Sequence, residues 1–137
     1  MDMVKITVSG DPVSKARPRA TVISGKPSMY TPAKSKNFEF LIRQRAEAVF
    51  LKPFEGPVSI KVTFLLKRPK RLLWKTKPMP ALFCDKRPDI DNMFKSVADG
   101  LNGVAFLDDG QIAEVHLKKL YHAGGSGPST VIEIHEL

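Results

Sequence analysis

The sequence predicts one small α+β domain, a mixed β-sheet packed with two main helices. Three observations lead there. Apolar and polar residues alternate at Val4-Ile6-Val8, Val58-Ile60-Val62-Phe64, Ala113-Val115-Leu117 and Thr130-Ile132-Ile134, the period of a half-buried strand. Two stretches instead show helical spacing, and they lie between the strands. Finally, 137 residues with 42% hydrophobic content suffice for one core, and no linker or internal repeat divides residues 1–137.

The elements follow in order. The strand at Val4–Val8 is broken by Gly10-Asp11-Pro12. A basic loop with Lys15, Arg17, Pro18 and Arg19 follows; its cations either grip phosphates, arginine as a two-pronged fork, or are simply solvated. Ser24 to Tyr30 reads as a turn or hairpin end. Thr31-Pro32 has the form of an N-cap followed by proline at the first helical position. Phe38, Leu41, Ile42, Ala46 and Val49 then carry a helix to about Phe50, ended by Pro53 and Gly56-Pro57. After the strand at 58–64, residues 67–87 are irregular and basic, with Lys67, Arg68, Lys70, Arg71, Lys86 and Arg87 as candidate DNA contacts. This segment reads as a mobile flap that orders on DNA. Trp74 inside it is expected at the domain edge, with stacking on a base as the alternative. Gly-Gly-Ser-Gly at 124–127 lacks the Lys-Ser/Thr ending and following helix of a phosphate loop, so it is read as a flexible hairpin connection.

The richest stretch is residues 86–111. Pro88 biases Arg87 toward an extended backbone. If that continues through Ile90, Asp89 and Asp91 point to the same side, about 6.6 Å apart along the strand. Asn92 to Leu101 is then helical, with Met93, Val97 and Leu101 in one row, and Asn102-Gly103 stops it. A short return brings Asp108 and Asp109 back toward the helix start. Aspartates are common caps and turn residues, but those roles do not account for Asp89, Asp91 and Asp109 together. Carboxylates that converge need a proton or a cation between them. Oxygen-only ligands suit Mg²⁺, with Mn²⁺ as a substitute.

Charge is segregated. Residues 1–88 hold 19 Lys and Arg against 6 Asp and Glu, +13; residues 89–137 hold 3 against 8, −5; together they make the net +8. A basic body with an acidic pocket suits a protein that binds a polyanion and holds metal against it. No run of ~18 apolar residues offers a membrane span. The N-terminus lacks a signal-peptide pattern, and the lone Cys84 excludes an internal disulfide and fits a reducing compartment, so a cytoplasmic site is expected. One cysteine and three scattered histidines argue against zinc.

Several blocks, in this order, resemble the RusA family of Holliday-junction resolvases, endodeoxyribonucleases of bacterial and phage or prophage origin. They are Gly10-Asp11-Pro12-Val13-Ser14-Lys15-Ala16-Arg17-Pro18-Arg19, Arg87-Pro88-Asp89-Ile90-Asp91-Asn92 with Lys95, Asp99-Gly100-Leu101-Asn102-Gly103, and Leu107-Asp108-Asp109-Gly110-Gln111-Ile112. Gly100 and Gly110 stand where relatives often carry another small residue, and 67–86 lies outside the matching blocks. The resemblance implies catalytic, metal-binding aspartates at Asp89, Asp91 and Asp109 and a catalytic-site lysine at Lys95. It also implies a small α/β fold, a homodimer, and four-way junction DNA as partner, in DNA recombination and repair. On the residues alone, Lys95 lies four positions after Asp91, on the same helix face. It either stabilises charge at the phosphate or pairs with Asp91 or Asp99. Two other readings stay open: a metal-dependent nuclease acting on flaps or forks, and a non-catalytic DNA-binding module.

Overall fold

Residues 3–16, 19–30 and 33–137 are described by the structure, a computed structural model; for 19–21, 23 and 27–30 it describes the backbone alone. The strands are β1 (Val4–Ser9), β2 (Arg19–Ile23), β3 (Lys26–Tyr30), β4 (Val58–Leu66), β5 (Leu82–Phe83), β6 (Ile112–Tyr121) and β7 (Ser129–Glu136), with helices α1 (Ala33–Glu47) and α2 (Ile90–Leu101). Short 3-10 turns occupy Lys70–Leu72 and Asp109–Gln111. No helix of the described residues is long and apolar enough to cross a membrane.

Five strands form one mixed sheet in the order β1-β7-β4-β6-β5. β4 runs parallel to β6 and antiparallel to β7. It is buried between them, and Val58, Ile60, Val62 and Phe64 are fully inaccessible. β2 and β3 make a separate antiparallel hairpin. Both helices lie against the core, with Phe38, Ile42 and Ala46 of α1 and Met93, Val97 and Leu101 of α2 buried beside Ile132 and Ile134. The helices touch closely at Gly100. A Cβ there would meet Ile42 Cγ2 at 2.9 Å and the Glu39 carbonyl at 3.0 Å, so the missing side chain sets the spacing. Arg43 Nη2 closes α2 by donating to the carbonyls of Asp99 (3.2 Å) and Asn102 (2.9 Å).

The alternating strands and both helices stand where their periodicity places them. Three expectations need correction. Residues 123–128 do not join a hairpin, because β4 lies between β6 and β7; a strand buried on both edges wins that place. α1 ends at Glu47 and not near Phe50: the amides of Val49 and Phe50 both fold back on the Ala46 carbonyl, and Phe50 meets Phe54 edge-on at 5.4 Å. α2 begins at Ile90, two residues before Asn92. The N-cap expected at Thr31-Pro32 lies outside the described residues.

Candidate active site

The early start of α2 decides where its aspartates point. Asp89 occupies the N-cap position with an extended backbone, and its side chain makes no cap hydrogen bond. Asp91 is already in the first turn. Residues two apart on a helix do not face each other, whereas in a strand they do. The extended run through Ile90 on which that expectation depended is therefore not formed. Asp91 instead lines a cleft of about 490 Å³ with Asn92, Lys95, Asp99 and Asp109. Asp89 lines the adjoining cavity of about 600 Å³ with Ser14, Lys34, Arg87 and Asn92. Asn92 borders both.

Asp91, Lys95 and Asp99 recur every fourth residue and so form one row on the face of α2. Asp109 arrives from the turn before β6. That turn is built by its neighbours. Asp108 accepts from the Gly110 amide at 2.9 Å. Gln111 accepts from the amides of Leu107 (2.7 Å) and Asp108 (2.9 Å) and donates to the carbonyls of Phe54 (2.9 Å) and Gly56 (2.8 Å). Asp108 and Gln111 thus form a reciprocal cap, which leaves the exposed Asp109 free to present its carboxylate. The Asp-x-x-Gln spacing of Asp108 and Gln111 is the sequence signal for this brace.

Asp99 has a different partner. Lys15 bridges Asp99 and Glu39, each at 3.0 Å, while the Lys15 amide donates to the Asn92 carbonyl at 3.0 Å. Burial pulls the Lys15 pKa down. The hydrogen bonds to Glu39 and Asp99 and the field of both carboxylates outweigh it, holding the group above the ordinary 10.5. Lys95 is exposed and joins no ion pair among the described residues, so neither Asp91 nor Asp99 holds it.

The candidate DNA contacts divide. Lys67, Lys70, Arg71, Lys86 and Arg87 are exposed. Arg68 is corrected: it is 2% exposed, and its guanidinium donates to the carbonyls of Leu72 (2.8 Å), Pro80 (2.7 Å) and His122 (2.9 Å). A side chain held there tethers the arm and offers nothing to a phosphate. Lys15 is partly exposed but paired with Glu39 and Asp99. Arg17 lies outside the described residues, and Arg19 is described in backbone only, at the start of β2. Trp74 is half-buried, with Arg68 Cζ 5.1 Å and Lys77 Nζ 4.1 Å from its ring centroid, so it packs at the domain edge as expected.

Among the described residues, no three carboxylate, histidine or cysteine groups stand close enough to hold a metal by themselves. The donor chemistry nonetheless fits Mg²⁺. That ion keeps several waters and is commonly held by one or two carboxylates together with substrate phosphates. Asp91 and Asp109, exposed on one cleft with only oxygen donors, match that pattern.

A family model described as Endodeoxyribonuclease RusA matches residues 9–135. Among curated relatives, an uncharacterised protein of Bacillus subtilis (strain 168), YqaN, is 34% identical over 131 residues, 88% of this chain and 89% of its own length.

Proposed function

The chain belongs to the RusA family of endodeoxyribonucleases, and on that premise we propose that it resolves four-way DNA junctions by Mg²⁺-dependent phosphodiester hydrolysis, as a homodimer acting through one domain. The observation that carries this reading is the cleft that gathers Asp91, Lys95 and Asp109 on a protein of net charge +8. Asp91 and Asp109 would hold the metal, and Asp89, which lines the cavity that shares Asn92 with their cleft, would be the third metal-binding aspartate. A bound Mg²⁺ supplies charge neutralisation at the scissile phosphate and a more acidic water.

The chain's own groups do the rest. The Asp108–Gln111 brace keeps the Asp109 carboxylate at the cleft before DNA arrives, so little reorganisation is needed at the moment of reaction. Lys95, unclaimed by a carboxylate, neutralises charge that grows on the phosphate oxygens and gives a proton to the departing 3′ or 5′ oxygen. The exposed Lys67, Lys70, Arg71, Lys86 and Arg87 bind backbone phosphates, which favours the shape of the junction over its base sequence. One cleft cuts one strand. Two symmetric cuts need two clefts, and a twofold dimer matches the symmetry of the substrate.

The test is a labelled synthetic four-way junction incubated with Mg²⁺ or EDTA, beside a linear duplex and a flap. Paired symmetric nicks confined to the junction and to Mg²⁺ support the proposal. Equal cutting of the flap makes the protein a nuclease of broader branched specificity, and binding without cutting makes it a DNA-binding module. Asp91→Asn should lower the cleavage rate about a thousandfold, three orders of magnitude being about 4 kcal/mol of barrier, while junction affinity in EDTA is retained.

A further inference from the structure

Lys119 lies on β6 two residues from Leu117 and two from Tyr121, in the set that faces the core. A lysine in that register is unfavourable unless its ammonium finds acceptors. It finds two: the Lys86 carbonyl at 2.5 Å and the Pro88 carbonyl at 2.9 Å. The Lys119 carbonyl in turn accepts from the Cys84 amide at 3.0 Å. One residue therefore holds both ends of Cys84–Pro88, the stretch that delivers Arg87 and Asp89.

The buried Cys84 anchors the start of that stretch in the core, and beyond it few ties hold the backbone. It has no helix or strand of its own beyond Phe83. The Cys84 thiol contacts the Lys86 carbonyl only at 3.6 Å, and the next backbone tie is Met93 N–H to the Asp89 carbonyl, inside α2. We propose that Lys119 is a positioning residue: its ammonium locks the Lys86 and Pro88 carbonyls and so sets the direction in which Asp89 and Arg87 enter the site. The proposal rests on the proposed function above, in which Asp89 is the third metal-binding aspartate. A misplacement near 1 Å at a reacting centre costs on the order of a hundredfold, and loss of a residue that orients a metal ligand costs roughly 10- to 100-fold in activity or metal affinity.

The experiment compares Lys119→Met, Lys119→Arg and Asp89→Asn with the unaltered protein. Four quantities are read: cleavage rate at saturating junction, the Mg²⁺ concentration for half-maximal rate, Mn²⁺ affinity by titration without DNA, and junction affinity in EDTA. Lys119→Met should cut roughly 10- to 100-fold more slowly and need more Mg²⁺. Its Mn²⁺ affinity should fall, while junction affinity changes less than about threefold. Lys119→Arg, which keeps a cationic donor, should recover most of the rate. A wild-type rate and Mg²⁺ requirement in Lys119→Met would overturn the proposal. So would equal losses in Lys119→Met and Lys119→Arg that track their melting temperatures, since that marks a packing role. If Lys119→Met does not fold, Lys119→Gln replaces it under the same criteria. Asp89→Asn separates the two levels: full cleavage by Asp89→Asn removes the role of Asp89 on which the proposal rests, while a dead Asp89→Asn beside a wild-type Lys119→Met removes only the role of Lys119.

Discussion

The Asp108–Gln111 turn and the Lys67–Arg87 arm are both irregular, charged segments, and each uses one charged side chain to hold its backbone so that neighbours can be presented. In the turn, the brace lies at the surface: Asp108 is exposed and bonds two residues away. In the arm, the tie is inside: Arg68 is 2% exposed and reaches across to His122, 54 positions along the chain. A surface brace shapes one loop and is partly replaceable by water. A buried guanidinium that joins three carbonyls from separate parts of the chain is harder to replace, because its removal also leaves a cavity where the side chain lay. The same residue type thus does different things in one arm: Arg68 is buried and holds it together, and Arg71 stays exposed.

The largest test of that contrast is Arg68→Ala. It should cost about 3 kcal/mol and lower the melting temperature by roughly 10 °C in a calorimetric or fluorescence melt. Unchanged stability with weakened DNA binding would erase the distinction between Arg68 and its neighbours. Gln111→Ala comes next, at about 1–2 kcal/mol, since it strands the Phe54 and Gly56 carbonyls and two amides. It should also slow junction cutting, because Asp109 loses its support. A normal rate at full occupancy would show that the turn holds without its brace. The pair Lys70→Ala with Arg71→Ala should leave the melting temperature alone and reduce the slope of log affinity against log salt by about 2. An unchanged slope would remove both from the phosphate contacts.

The smallest effect is at Lys15, whose side chain is 24% exposed and screened by solvent. Its folded pKa is raised above 10.5, so the stability it contributes is present below pH 10.5 and is lost as pH rises through the higher folded value. The gap in melting temperature between the unaltered protein and Lys15→Met should therefore be flat below pH 10.5 and close above it. A gap that stayed constant through strongly alkaline pH would show that Lys15 acts by packing and not by charge.

Periodicity and spacing determined much of this protein from sequence alone. The alternation in β1, β4, β6 and β7 and the Met93-Val97-Leu101 row are set by neighbours two to four residues apart, and strand and helix geometry impose those spacings locally. The motif blocks and the uneven charge pointed to the same acidic helix. Tertiary structure decided what local spacing cannot express. It put β4 between β6 and β7, because the most apolar strand is buried on both edges. It started α2 at Ile90, which put Asp89 at the N-cap and Asp91 in the first helical turn. It bound Lys15 to Glu39 at a separation of 24 residues, Arg68 to His122 at 54 and Lys119 to Lys86 at 33. A cation's charge is written in its residue type, but whether that charge faces DNA or a buried carbonyl depends on which distant backbone folding brings within hydrogen-bond reach.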